Sequence, residues 1–387
     1  MLTKEEIIKE ALKRGFDDIG FTTAEPFESH KRVLEERRED YNWTIENEHV
    51  GYDISEGIDP KKFYPNAKSI IVLVASYFKE GYPASMEGKF GRIYIDDDRM
   101  THSVLANANL KRSGSYRMGQ VKNFQDFLRE NGIDSVLLPN LPERIAAARA
   151  GLGNFGKNGF LYSNKLVRGG SWINPIPLVV DQEFAPDEPT YGIGCPEWCR
   201  NACILSCPTG AIKGIRKMNP RECISYLTYF GTGLTPKELR EPMGMWVYGC
   251  DRCQEVCPRN SAWFAQDLPI NKHAAEKEEN FTLRKLLHMD KKFYRREIWP
   301  HMFYIFFRDI WRWKMNVARV MGNSLDPQYI PDLIRAFEEN RDERVRGMIA
   351  WALGRIGGDK AKAALEGFLN ESEGIVRDEI LEALKEF

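Results

Sequence analysis

Short apolar runs dominate the first half of the chain, and a helical period takes over its last quarter. SIIVLVASYF (Ser69–Phe78) is continuous, β-branched and of strand length, far short of what a membrane crossing needs. Strands are predicted over Lys68–Phe78 and Ile133–Leu138. Apolar residues three and four apart predict helices over Leu2–Arg14, Val104–Lys111, Val121–Glu130 and Pro142–Ala150. The opening MLTKEEIIKEALKRG mixes charges into that period, so it reads as a surface helix and not a secretory segment. A charged, aromatic helical region follows from Phe281 to about Met315. Beyond it, Met321-Gly322 recurs as Leu353-Gly354, Leu333 as Leu365, and Val345-Arg346 as Val376-Arg377. IPDLIRAFEEN, VRGMIAWALGRIG, KAALEGFLN and VRDEILEALKEF fill these units with amphipathic helices, a HEAT-like pattern. Two units are few for a solenoid, so the preceding helices must complete their core. The face of such a repeat binds a macromolecule or serves as a buttress.

The expected fold class is α+β in three units: an N-terminal α/β unit (1–187), a ferredoxin-like cysteine unit (188–262) and a helical region with HEAT-like repeats (263–387). With 387 residues and a net charge of −1, overall charge selects no partner. Its distribution changes the picture: ten Lys/Arg face three Asp/Glu from Arg284 to Arg319, whereas nine face fourteen from Asp326 onward. A basic stretch of this kind suits an anionic partner or a solvated helix face.

All eight cysteines lie between Cys195 and Cys257. The first run is Cys195-PEW-Cys199-RNA-Cys203-ILS-Cys207-Pro208, and the second is Cys223 followed by Cys250-DR-Cys253-QEV-Cys257-Pro258. Eight thiolates in runs ending in Cys-Pro match the ligands of two [4Fe–4S] clusters, where the Cys before Pro crosses to the other cluster. Disulfides are disfavoured by the short Cys-x-x-Cys loop and the lack of a secretory segment. Two Cys₄ zinc sites would consume the same eight thiols, though zinc ligands usually sit on separate knuckles. The first run has spacers of three, three and three where the bacterial ferredoxin run has two, two and three, so its extra residues must bulge.

Gly151-Leu152-Gly153-Asn154-Phe155-Gly156 spells a dinucleotide fingerprint, but it follows an Ala-rich helix and lacks an acid about 20 residues on. Gly151 could simply cap that helix. Three glycines before Lys157-Asn158 favour a ligand contact. The six histidines (His30, His49, His102, His273, His288, His301) are scattered and form no metal triad.

These pieces resemble the epoxyqueuosine reductases, the corrinoid- and iron–sulfur-dependent enzymes of queuosine synthesis in tRNA. The resemblance rests on PNAKSIIVLVASYF, ERIAAARAGLGNFGKNGFL, the GGSW at Gly169–Trp172, CPTGAI, RECISYLTYF, YGCDRCQEVCPRN and NVARVMGN, and spans nearly the whole chain. In its cofactor core that family is similar to reductive dehalogenases. The resemblance implies cobalamin in the N-terminal unit, closed by Gly151, Gly153, Asn154, Phe155, Gly156, Lys157 and Asn158. It also implies two [4Fe–4S] clusters, a ferredoxin- or flavodoxin-like electron donor, and helical repeats holding the tRNA anticodon stem-loop. A cytoplasmic monomer without membrane attachment is expected. The Asp-x-His-x-x-Gly signature of many cobalamin proteins is absent around His102, as suits a family whose corrinoid has no histidine ligand.

The crossover rule then places Cys195, Cys199, Cys203 and Cys257 on one cluster, and Cys207, Cys223, Cys250 and Cys253 on the other. The family's proton-donating aspartate stands six residues before the Glu of its Glu-Arg pair. Counting back from Glu143 without gaps gives Leu137, and Asn140 is no acid, so Asp134 is the candidate carboxyl and Tyr94 the phenolic alternative. A paralogue reducing another small electrophile, or a non-catalytic iron–sulfur electron carrier, stays open beside the named reaction.

Overall fold

The computed structural model describes residues 2–41, 55–95, 116–138, 141–166, 170–299, 302 and 304–387. The expected helix Val104–Lys111, together with Asn140, Gly169, His49, His102 and His301, lies outside them.

The chain begins with a helix, Lys4–Lys13, started by a capping box in which Thr3 and Glu6 satisfy each other's backbone N–H groups. Four strands then build one antiparallel sheet: β1 (Asp18–Thr23), β2 (Ser69–Ser76), β3 (Ser135–Val136) and, after two short strands, β6 (Ile173–Val180). Their spatial order is β1-β2-β6-β3. All eight residues of β2 are buried, because both faces of the sheet are covered. Ile70, Val72 and Val74 pack toward Ala146–Ala148 of the helix Glu143–Arg149. Ile71, Leu73 and Ala75 pack toward Ile7, Ala11, Val121, Phe124 and Leu128 from the helices Lys4–Lys13 and Tyr116–Glu130. Period-2 alternation within one apolar run therefore feeds two cores. Gly20 of β1 admits the turn after Glu143–Arg149: a Cβ there would lie 2.4 Å from the Ala150 carbonyl oxygen.

The structure differs from expectation in detail. β3 keeps only two of the six residues predicted at 133–138, and these pair with Val179 and Val180. β6 contains Pro175 and Pro177, which lie where β2 alone pairs with it.

The cysteine region carries little regular structure: β7 (Ile212–Gly214), β8 (Lys217–Met218), and short helices at Ala202–Leu205, Ile224–Phe230 and Lys237–Arg240. Behind it rise the helices Trp311–Ser324, Ile330–Glu339, Glu343–Ile356, Asp359–Leu369 and Gly374–Ala383. Trp311–Ser324 packs on Glu343–Ile356, which packs on Gly374–Ala383, so a preceding helix completes the repeat core as expected. That core also takes in Tyr82, Phe90, Tyr94 and Tyr248. Among the described residues no helix is long and apolar enough to cross a membrane.

Candidate metal centre

The two cysteine runs interleave. The Cys195 thiol senses the charge of Cys199 and Cys257, and that of Cys203 senses Cys257, Cys195 and Cys199. In the second group Cys250 senses Cys253 and Cys223, Cys253 senses Cys223 and Cys207, and Cys223 senses Cys207. Cys257 is thus near the first run and Cys207 near Cys223 and Cys253. Cys253 also senses Cys203, so the two groups adjoin. Burial pushes Cys203 up to about 11 and lifts Cys250 and Cys253 well above the ordinary thiol value. Loading a cluster must therefore release protons here. Among the described residues, no three His, Cys, Asp or Glu side chains close on a point that a single metal ion would occupy.

The widened first run makes its bulge between Cys199 and Cys203. Arg200 and Asn201 stand consecutively at φ 47° and 60°, left-handed conformations that side-chain-bearing residues seldom adopt. Lys157 holds this bulge. Its ammonium donates to Asn201 Oδ1 at 2.6 Å and lies 3.9 Å from Cys199 Sγ, while its backbone N–H points at Cys195 Sγ, 3.3 Å away.

Lys157 reaches that place because the glycine segment runs alongside the approach to Cys195. Gly151 ends the helix Glu143–Arg149 as a Schellman cap, at φ 72°, with Leu152 N–H on Ala147 O and Gly151 N–H on Ala148 O. β4 (Gly153–Phe155) then pairs with β5 (Leu161–Ser163), and Phe155 exchanges backbone bonds with Gly192 and Gly194. Asn154 donates to Thr190 O, and a Cβ at Gly156 would strike the Tyr162 ring at 2.3 Å. Asn158 donates to Tyr162 Oη at 3.1 Å and to the carbonyl of Cys253 at 3.2 Å. Lys157 and Asn158 thus touch one cysteine run each.

The second run is fixed from two sides. Ser171 of the GGSW segment donates from Oγ to Gln254 Oε1 at 2.9 Å, and Asn260 ties both through its amide. From behind, Arg312, Asn316, Arg319 and Asn323 form a polar stripe spaced four, three and four residues along one helix, with the first three buried. Arg312 donates to Gly231 O, Asn316 to Thr228 O and Val247 O, Arg319 to Gly244 O and Trp246 O, and Asn323 to Gly244 O. The carbonyls of a loop without regular structure are satisfied by that stripe. Three of the four stripe residues lie in NVARVMGN, and their heptad-like spacing with Arg312 is the sequence signal for it.

The two proton-donor candidates are not brought together. Asp134 is exposed at the edge of the N-terminal sheet, where its carboxylate accepts from Tyr64 Oη at 2.9 Å and its N–H donates to Asp181. Burial and the neighbouring Asp134 push the Tyr64 hydroxyl up to about 12. Tyr94 is buried, its hydroxyl 3.2 Å from that of Tyr229, among the rings of Tyr248 and Tyr304. Leu137 is half-buried against the sheet core.

Residues 195–260 match the 4Fe-4S double cluster binding domain, and residues 311–385 match HEAT repeats. The epoxyqueuosine reductase of Lactococcus garvieae is 32% identical to this chain, covering 91% of it and 96% of its own length. That of Listeria monocytogenes is 30% identical over 96% and 94%. The chain belongs to the epoxyqueuosine reductase family. A solved epoxyqueuosine reductase with an epoxyqueuosine-modified tRNA-Tyr stem loop has the same fold, with a TM-score of 0.77 and 25% identity over 99% of this chain and 98% of that one. The double-cluster domain of the family thus coincides with the interleaved cysteine runs.

Proposed function

We propose that this chain reduces epoxyqueuosine to queuosine in tRNA, with two [4Fe–4S] clusters and a cobalamin, in the cytoplasm and as a monomer. What carries the reading is a chain that follows epoxyqueuosine reductases along its whole length and holds all eight cysteines within the 4Fe-4S double-cluster match. Cys195, Cys199, Cys203 and Cys257 would hold one cluster, and Cys207, Cys223, Cys250 and Cys253 the other. A corrinoid here would take no metal ligand from the two paired histidines among the described residues. Of the described histidines, His273 pairs with Glu276 and His288 with Glu339, and His30 lies in the helix Glu28–Glu36, remote from the cysteines in sequence. When bound, these groups supply low-potential electron relay and a metal nucleophile.

The protein's share is binding, orientation and proton supply. Residues 1–187 would enclose the corrinoid, with Gly151, Gly153, Asn154, Phe155 and Gly156 at its edge. Lys157 and Asn158 couple that edge to the cysteine unit, 188–262, and residues 263–387 would help hold the anticodon stem-loop. Opening an epoxide to an alkene takes up two electrons and two protons and releases water. Asp134, whose carboxylate accepts from Tyr64 Oη, is the carboxyl candidate for proton supply; the Tyr94 hydroxyl needs an activating neighbour, since a phenol ordinarily ionises near 10.

Analysis of tRNA from a strain lacking this gene is the test. Accumulated epoxyqueuosine supports the reading, and unchanged queuosine refutes it. One observation favours a second reading, reduction of another small electrophile by the same apparatus: an ungapped count of six residues back from Glu143, where the resemblance expects an acid, gives Leu137, an apolar residue packed on the core.

A further inference from the structure

Among the described residues, large apolar side chains around the first cysteine run stand exposed. Trp198, between Cys195 and Cys199, is 67% exposed, and Leu205, between Cys203 and Cys207, is 79% exposed. Ile215 at the tip of the β7–β8 hairpin, Tyr191 and Ile193 are also exposed. The elements that carry them adjoin. The hairpin packs on the helix that ends at Leu205, and Arg216 N–H donates to the carbonyl of Lys157, whose ammonium reaches Cys199 and Asn201. Folded proteins seldom leave such a patch bare unless it meets something.

The charge around it says what. Between Tyr191 and Glu222 there are five Lys/Arg and two Glu, and one of those, Glu222, is taken by Lys213. Arg200, Arg216 and Lys217 are exposed. An apolar centre with a cationic rim suits a transient protein interface steered by opposite charge. Exposed Leu205 and Ile215 offer nothing to phosphates or stacked bases, so nucleic acid is the poorer fit.

We propose that this face docks an acidic, low-potential one-electron carrier protein, a reduced flavodoxin or a ferredoxin, and that electrons enter through the cluster held by Cys195, Cys199, Cys203 and Cys257. The inference rests on the two-cluster reading above. In each encounter the carrier is oxidised by one electron and the protein reduced by one. Two encounters supply the two electrons that epoxide opening consumes.

The probe is flavodoxin hydroquinone mixed anaerobically with the iron-loaded protein, following loss of cluster absorbance. The Arg216→Glu/Lys217→Glu and Trp198→Ser/Leu205→Ser variants should each slow this step about tenfold or more. For the charge variant the gap should close as salt rises. Iron content and bleaching by dithionite should stay unchanged, and titration with oxidised flavodoxin should show weakened binding. Unaltered flavodoxin rates in both variants would overturn the proposal. So would lost binding of an anticodon stem-loop RNA with flavodoxin reduction intact, which would make the face a nucleic-acid surface. Where a variant fails to load iron, the unsubstituted protein decides: its reduction rate must fall steeply with ionic strength, and a flat profile contradicts docking here. Failure of the tRNA reading shows separately, as protein that flavodoxin reduces but that leaves epoxyqueuosine untouched.

Discussion

The two cysteine runs supply four thiols each, one of them buried in either run, yet differ in the residues around those thiols. The first has exposed Trp198 and Leu205 between its ligands and two left-handed residues in the spacer between Cys199 and Cys203. The second lies among buried Val247, Tyr248, Gln254 and Asn260, with its loop carbonyls filled by the helix Trp311–Ser324. The same ligand chemistry is thus supported in two ways. Few side chains, Lys157 among them, tie the first run to its neighbours, whereas the packed body of the protein encloses the second.

The largest effect that could break the comparison comes from removing one ligand on each side. Cys199→Ser and Cys253→Ser should each lose about four of about eight irons by colorimetric assay. Cys199→Ser should leave a soluble, folded protein, whereas Cys253→Ser should also depress the melting temperature, because the metal of a packed loop contributes to folding. Equal melting temperatures would erase the distinction.

Next in size is the anchor of the second region. Arg240 meets Glu379 through two bonds of 2.7 and 2.8 Å, both side chains being buried, and joins the cysteine unit to the last repeat helix. Glu379→Gln should cost about 3–5 kcal/mol in denaturant unfolding, since it strands a buried guanidinium. A cost below about 1 kcal/mol would mean that the repeat does not brace the second run.

Lys157→Met acts on the first run alone. Removing a cation and its N–H from the neighbourhood of Cys199 should lower the potential of one cluster in an EPR-monitored titration and leave the other unmoved. The smallest effect serves as a control outside both runs. Burial holds His30 below its ordinary 6.5, so the unfolded chain takes up the proton first. That contribution is present above pH 6.5 and fades as pH falls toward the lower folded value. His30→Gln should flatten the pH dependence of stability in that window and leave iron content unchanged.

What could be read from the sequence followed from how much each residue type constrains. β2 was plain because every position is apolar, and the repeat was plain because its helices keep a strict period. β1 was missed because only Ile19 and Phe21 of its six residues are large and apolar. β6 was masked by Pro175 and Pro177, which are tolerated only because β3 is too short to pair there. At the site, thiols announce themselves by chemistry and spacing. The stripe Arg312, Asn316, Arg319 and Asn323 does not, because polar residues on a helix ordinarily face water and only the fold turns these inward.

Iron analysis with EPR of the anaerobically purified protein reaches the central claim most directly. The account predicts about eight irons per chain and, on reduction, two interacting [4Fe–4S] signals. Colourless protein holding two zinc ions per chain would contradict it.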